Sequence, residues 1–199
     1  MNDVERKEKG LLFLPFGDEE KKVSLGLVDE FNRTSVNDIE KRIFLIDKMF
    51  GSVGSCFIEP PIHSNWGLRN VRVGNGVYIN FNVTFVDDGN IYIGDNVLIG
   101  PNVNIITSGH PINPYLRSKK YLYVKDVHIG NNVWLGAGSI ILPGVSIGDN
   151  SVIGAGSVVT KDIPSNVVAV GNPCHVLREI SEHDDIYFYK DEIIDWDNL

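Results

Sequence analysis

Ile91-Tyr92-Ile93-Gly94-Asp95-Asn96-Val97-Leu98-Ile99-Gly100-Pro101-Asn102-Val103-Asn104-Ile105 repeats its pattern every six residues. One aliphatic register holds Ile93, Ile99 and Ile105, and a second, two residues earlier, holds Ile91, Val97 and Val103. Upstream of a slip at Gly89-Asn90, the first register runs through Val73, Ile79 and Phe85 and the second through Val71, Val77 and Val83. Downstream, after a longer break, the first resumes with Ile129, Leu135, Ile141, Ile147, Ile153 and Val159. The second resumes with Val127, Val133, Ser139, Val145, Ser151 and Ser157. Turn residues follow each pair, as in Gly94-Asp95-Asn96, Gly130-Asn131-Asn132 and Gly148-Asp149-Asn150.

Side chains in a strand alternate faces, so residues two apart point the same way. Each hexad therefore offers two inward side chains flanking an outward one. Glycine or asparagine then supplies the positive φ that turns a corner. Three such units, 18 residues, close a triangular coil, and stacked coils bury a continuous aliphatic core. The fold class is an all-β solenoid, a parallel β-helix. An antiparallel sandwich would space its strands roughly 8–12 residues apart, and the six-residue step excludes it.

The units outside the repeat divide the rest of the chain. Residues 1–55 read as a helical head, 56–175 as the β-helix with an inserted loop over 107–126, and 176–199 as a C-terminal helix and tail. In the head, Ser35-Val36-Asn37-Asp38 reads as a capping box, with Ile39, Ile43, Ile46 and Phe50 on one helical face and Gly51 as the stop. A shorter helix is predicted over 21–31, and another over 176–182. A long loop inside a regular solenoid is usually functional or disordered. This one opens with Ser108-Gly109-His110-Pro111 and carries Arg117, Lys119, Lys120, Tyr121 and Tyr123.

Composition narrows the partners. The net charge of −8 argues against nucleic acid and anionic membranes. No apolar run approaches the roughly 20 residues of a bilayer span, and the charged first ten residues lack a secretion core. A cytoplasmic setting follows, with Cys56 and Cys174 as reduced thiols.

The repeat, the Gly109-His110-Pro111 loop and the closing run from Ile153 to Pro173 resemble the hexapeptide-repeat acyltransferases, and are most similar to the galactoside/maltose O-acetyltransferases. Glu30-Phe31-Asn32, Glu40-Lys41-Arg42 and Met49-Phe50 extend the likeness into the head. The resemblance implies a left-handed β-helix, although crossover rules alone favour a right-handed one. It further implies a homotrimer with active sites between neighbouring solenoids, acetyl-CoA as co-substrate, and a sugar hydroxyl as acceptor.

Such transfer needs a base, an oxyanion donor and a groove for the thioester. An imidazole is neutral yet basic near pH 7, which suits His110 as the base. The resemblance makes His110 the catalytic histidine and gives Asp88 contact with the acceptor, while the plain alternative for Asp88, and nearly as much for Asp87, is an aspartate satisfying the turn at Gly89-Asn90. It places Asn80 near the acetyl group and Tyr78 beside the acceptor, each with a plain reading as a corner or surface residue. It assigns the oxyanion contact to the Ala137 N–H, Trp134 and Ala155 to the pantetheine arm, and Thr160, Lys161 and Arg178 to the CoA phosphates. The head departs from the family: Pro15 and Lys21 stand where an aspartate and an arginine are usual, with Asp18 as a substitute, which leaves the acceptor open.

Three rivals remain at this level. One is a transferase with another acceptor, such as an antibiotic, serine or a surface-polysaccharide sugar. Another is a non-catalytic trimeric scaffold. The third is a zinc enzyme, which needs three histidines converging on the metal. His63, His110, His128, His175 and His183 offer no such trio by register, so no metal is expected.

Overall fold

The structure, a computed structural model, describes residues 1–17 and 19–199. Aliphatic pairs form short strands that stack in parallel into three faces. The first face contains Ser52–Val53, Val71–Val73, Ile91–Ile93, Val127–Ile129 and Ser146–Ile147. The second contains Cys56–Ile58, Val77–Ile79, Leu98–Ile99, Trp134–Leu135, Val152–Ile153 and Val167–Val170. The third contains Ile62–Ser64, Val83–Val86, Asn104–Ile106, Ile140–Ile141 and Val158–Val159. Partners such as Ile79↔Ile99 and Phe85↔Ile105 put like residues of successive coils over one another. The inward side chains, from Ile58 to Ala169, are buried in one continuous core.

Three corners join the faces. At the first corner, Asn96, Asn132, Asn150 and Asn166 all have φ between 55° and 61°. Asparagine tolerates this left-handed conformation better than other side-chain-bearing residues. Each amide donates to the next along the stack, Asn96 to Asn132, Asn132 to Asn150 and Asn150 to Asn166, at 3.2, 2.9 and 2.8 Å. The second corner holds Asn80–Asn82, Gly100–Asn102, Gly136–Gly138 and Gly154–Gly156. The third corner carries residues 65–70, 87–90 and the inserted loop, and against it packs the head.

The head contains helices α1 (Asp3–Glu8), α2 (Glu19–Arg33) and α3 (Ile39–Met49). Helix α3 is capped by Asp38, whose side chain accepts from the Lys41 N–H, rather than by a box starting at Ser35. Its buried face is Arg42, Leu45, Ile46 and Met49, while the expected Ile39 and Ile43 are 64% and 61% exposed. The two faces share Ile46, and Phe50, just past the helix, is buried as expected. The choice between them rests on Arg42, whose guanidinium stacks 4.9 Å from the Phe31 ring and donates to the Ile58 carbonyl, so a charged residue sits satisfied in the core.

Two boundaries also move. The first coil begins at Ser52, where Ser52–Val53 pairs with Arg72 and Val73, so Cys56 lies inside the solenoid. The segment expected to be helical from 176 to 182 is instead strand His175–Glu179, antiparallel to Val167–Val170. The last coil would otherwise present an open strand edge, and the returning chain pairs with it. Beyond it, Tyr187–Tyr189 and Glu192–Ile193 form a small hairpin.

Candidate active site

The third corner is built by departures from the hexad. Residues 65–70 and 87–90 lengthen the turn in two successive coils, and the inserted loop leaves it in the next. Asp87 is fully buried and staples the lower turn. Its carboxylate accepts the N–H groups of Asn65, Trp66 and Leu68 and the Ser64 hydroxyl. Burial pushes its pKa up against the downward pull of those bonds.

Asp88, the next residue, turns to the other side. Its Oδ1 accepts from the Asn65 amide and the Trp66 indole, and its Oδ2 from the Asn65 amide and the Ser108 hydroxyl, at 2.7–3.0 Å. It floors a cavity of about 790 Å³ that His110 overlooks. The Trp66 indole is ringed by cations, with Lys21 4.4 Å, Arg69 4.8 Å and Lys7 5.1 Å from its centroid. Burial lowers the Lys7 pKa.

His110 is exposed, and its ring is held at one nitrogen. Nδ1 lies 2.8 Å from the Tyr121 carbonyl, which can only accept, so Nδ1 carries the proton. In the neutral tautomer that this contact selects, Nε2 is the nitrogen with the lone pair. Tyr121 is positioned in turn by its neighbour: Phe13 and Leu122 exchange both backbone hydrogen bonds, at 3.1 and 2.8 Å, and Phe13 is buried. The head thus clasps the loop that orients the imidazole. Pro15 and Lys21 line the same cavity, while Asp18 lies outside the described residues.

The other candidate residues lie elsewhere on the chain. Tyr78 stacks on Phe57 at 5.9 Å along the outside of the second face, where Leu98 and Trp134 are 50% and 53% exposed. At the second corner, the middle amide of each turn has a different fate. The Asn80 side chain takes up the Phe81 N–H, and Pro101 has none. Those of Ala137 and Ala155 donate to nothing among the described residues, although Gly136, Gly138, Gly154 and Gly156 on either side all donate to carbonyls. Glycine is required beneath them: a Cβ at Gly100 would meet the Ala137 nitrogen at 2.8 Å, and one at Gly136 the Ala155 nitrogen at 2.6 Å.

Thr160 and Lys161 turn the chain out of Val158–Val159 at the third corner, in a later coil. Arg178 sits in the returning strand and makes a two-pronged pair with Asp184, both bonds 2.7 Å. A single chain therefore gathers His110 and Asp88, but keeps Tyr78, Asn80, Trp134, Ala137 and Ala155 across the third face from them.

A sequence-family model described as "Bacterial transferase hexapeptide (six repeats)" matches residues 126–161. Over 166 residues the chain is 52% identical to a galactoside O-acetyltransferase of Lactococcus lactis, covering 83% of this chain and 80% of that one. The chain belongs to the hexapeptide-repeat acetyltransferases. A solved galactoside acetyltransferase in complex with coenzyme A matches with a TM-score of 0.95 at 47% identity, covering 98% of this chain and 99% of that one. A maltose O-acetyltransferase of Clostridium difficile matches with a TM-score of 0.86 at 44% identity, covering 91% and 98%.

With the family comes the left-handed sense of the β-helix. In this hexapeptide-repeat acetyltransferase, His128 stacks on Tyr92 at 4.7 Å on the first face, away from His110. Among the described residues no cluster of three or more His, Cys, Asp or Glu could hold a metal ion, and no helix is long and apolar enough to cross a membrane. Asn65, Trp66, Ser108 and the Tyr121 carbonyl were not singled out by the sequence. One signal was available for the first two: Ser64 pairs with Phe85, which puts Asn65 and Trp66 one coil beneath the Asp87–Asp88 turn.

Proposed function

We propose that this acetyltransferase moves the acetyl group of acetyl-CoA to a hydroxyl of a sugar, with His110 as general base. The observation that carries the reading is the bond from His110 Nδ1 to the Tyr121 carbonyl, which leaves a basic Nε2 above a cavity floored by Asp88. Nε2 takes the hydroxyl proton as the acceptor oxygen attacks the thioester carbonyl. The C–S bond then breaks, and the imidazolium returns the proton to the departing thiolate. Asp88 and the groups around it orient the acceptor.

The unpaired Ala137 N–H suits a developing oxyanion, worth about 3 kcal/mol in the transition state for one aligned donor. The unpaired Ala155 N–H and the exposed face of Trp134 suit the pantetheine arm, with Asn80 and Tyr78 near the acetyl group. Thr160, Lys161 and Arg178 suit the phosphates. No covalent enzyme intermediate is needed: burial pushes the Cys56 thiol up to about 12, far from a nucleophilic thiolate at neutral pH.

We assign a homotrimer. Since the third face separates the His110 corner from the Ala137 corner, a neighbouring solenoid supplies the missing half. The exposed Phe57, Leu98 and Trp134 give that neighbour an apolar surface to cover. We place the reaction in the cytoplasm, where Cys56 and Cys174 stay reduced.

The test is acetyl-CoA-dependent thiol release over galactosides, maltose, glucose, serine and chloramphenicol, with solution mass measured alongside. Saturable release with sugars and a mass three times that of the chain are expected. Turnover confined to serine or chloramphenicol would overturn the acceptor class. A monomeric mass with full activity would overturn the shared site.

A further inference from the structure

The protein carries a net charge of −8, yet the His110 cavity reverses that sign. Among the described residues, Lys21, Arg117 and Lys120 line it, against the carboxylate of Asp88. That carboxylate is already engaged on both oxygens by Asn65, Trp66 and Ser108. Those neutral donors hold the carboxylate in the floor, the Arg117 guanidinium donates to the Ile112 carbonyl, and Lys120 stands at the cavity wall.

Lys120 is the informative one. It is exposed and adopts φ 65°, a left-handed conformation that glycine would take without cost. Its backbone N–H donates to the Arg117 carbonyl to close the short helix Pro114–Ser118. Its ammonium makes no hydrogen bond or ion pair among the described residues. The turn suits glycine and the chain supplies lysine, which puts an ammonium at the cavity wall.

A second cavity of about 640 Å³ behind Trp66 and Phe16 is lined by Lys7, Arg69 and Lys125 together with Glu8 and Asp126. There the Lys7 ammonium lies 5.1 Å from the Trp66 ring and 5.8 Å from that of Phe16, again with no ion pair among the described residues. Cations so placed around the floor of a partly enclosed cleft concentrate an anionic substrate.

We propose that the acceptor is a saccharide bearing an anionic substituent, a carboxylate or a phosphate, which Lys120 engages in the His110 cavity. This rests on the reading of that cavity as the acceptor site. A neutral polyol gains nothing from the ammonium, whereas an anion forms a charge-assisted contact with it.

The test compares acceptors that keep the same ring hydroxyls: a hexose 1-phosphate, the carboxymethyl glycoside and the methyl glycoside of that hexose. With the full chain and saturating acetyl-CoA, kcat/KM for an anionic acceptor should exceed that of the methyl glycoside about tenfold at low ionic strength, and the advantage should shrink with added salt. Which of the two anions gains more identifies the substituent. Lys120→Gly removes the charge while suiting the backbone, so folding is not at risk, and it should bring the ratio close to one. Equal or better use of the methyl glycoside by the unaltered protein overturns the proposal and leaves acetyl transfer standing. A variant that keeps the ratio but raises the KM for acetyl-CoA also overturns it, since the charge then serves the donor. Absence of thiol release with every acceptor overturns both readings.

Discussion

The first and third corners of the solenoid begin from the same strand chemistry and end differently. At the first, asparagines at positive φ lie over one another and bond amide to amide, so each coil is completed by the next. At the third, the turns are longer, a buried aspartate ties together four donors, and the extra chain folds back with the head to enclose a cavity. The regular corner spends its polar groups on its own backbone. The irregular one leaves an imidazole nitrogen and the Lys120 ammonium at the wall of that cavity. In this solenoid, departure from the repeat at the third corner is what opens the cavity beside His110.

The strongest way to break that contrast is at His110. His110→Ala should lower kcat about 10³-fold while leaving coenzyme A binding and the melting temperature near those of the unaltered protein, read by thiol release, calorimetry and thermal melts. Near-normal turnover would remove the base from the third corner.

Next in size is the turn beneath it. Asp87→Ala strands the N–H groups of Asn65, Trp66 and Leu68 in a buried site, and should cost about 3 kcal/mol in denaturant unfolding. Activity should fall as well, because Asn65 and Trp66 seat Asp88. Unchanged stability would show that the corner holds without its staple.

Asn132→Ala makes the matched change at the first corner. It breaks two rungs of the ladder and places alanine at φ 55°, for a loss of about 1 kcal/mol with kcat unaffected. A fall in kcat would mean that the two corners are mechanically coupled.

The smallest effect concerns the tail. Arg178 holds the Asp184 carboxyl down at about 2, below its ordinary value of 3.8. A carboxylate with a depressed folded-state pKa contributes stability above its unfolded value and loses it as pH falls through the folded one. The tail should therefore loosen between about pH 4 and pH 2, read as a change in fluorescence of Trp196, whose indole donates to the Asp185 carbonyl. Asp184→Asn should abolish that transition and leave the core melt in place. An unchanged transition would assign it to other carboxylates.

Several features could be read before any coordinates. The six-residue step of Ile93, Ile99 and Ile105, with Ile91, Val97 and Val103 two residues earlier, demands two inward side chains per hexad, and the core contains them as expected. His110 stood out because it opens the one long interruption. The face of α3 was misread because a buried arginine looks polar in a sequence, and its neutralising contacts with Phe31 and Ile58 are made by distant segments. The last strand was read as helix because its pairing partner, an edge left open by Val167–Val170, exists only once the coils are stacked.

The sequence by itself determined the solenoid, its corners and the break that holds the histidine, since these follow from local periodicity and turn chemistry repeated along the chain. Tertiary structure alone decided which of two adjacent aspartates is a staple and which floors a cavity, and which imidazole nitrogen is basic. It also decided that Phe13, nearly a hundred residues away, steadies the loop. Those outcomes depend on hydrogen bonds between groups that only the stacking of coils and the return of the head bring within reach.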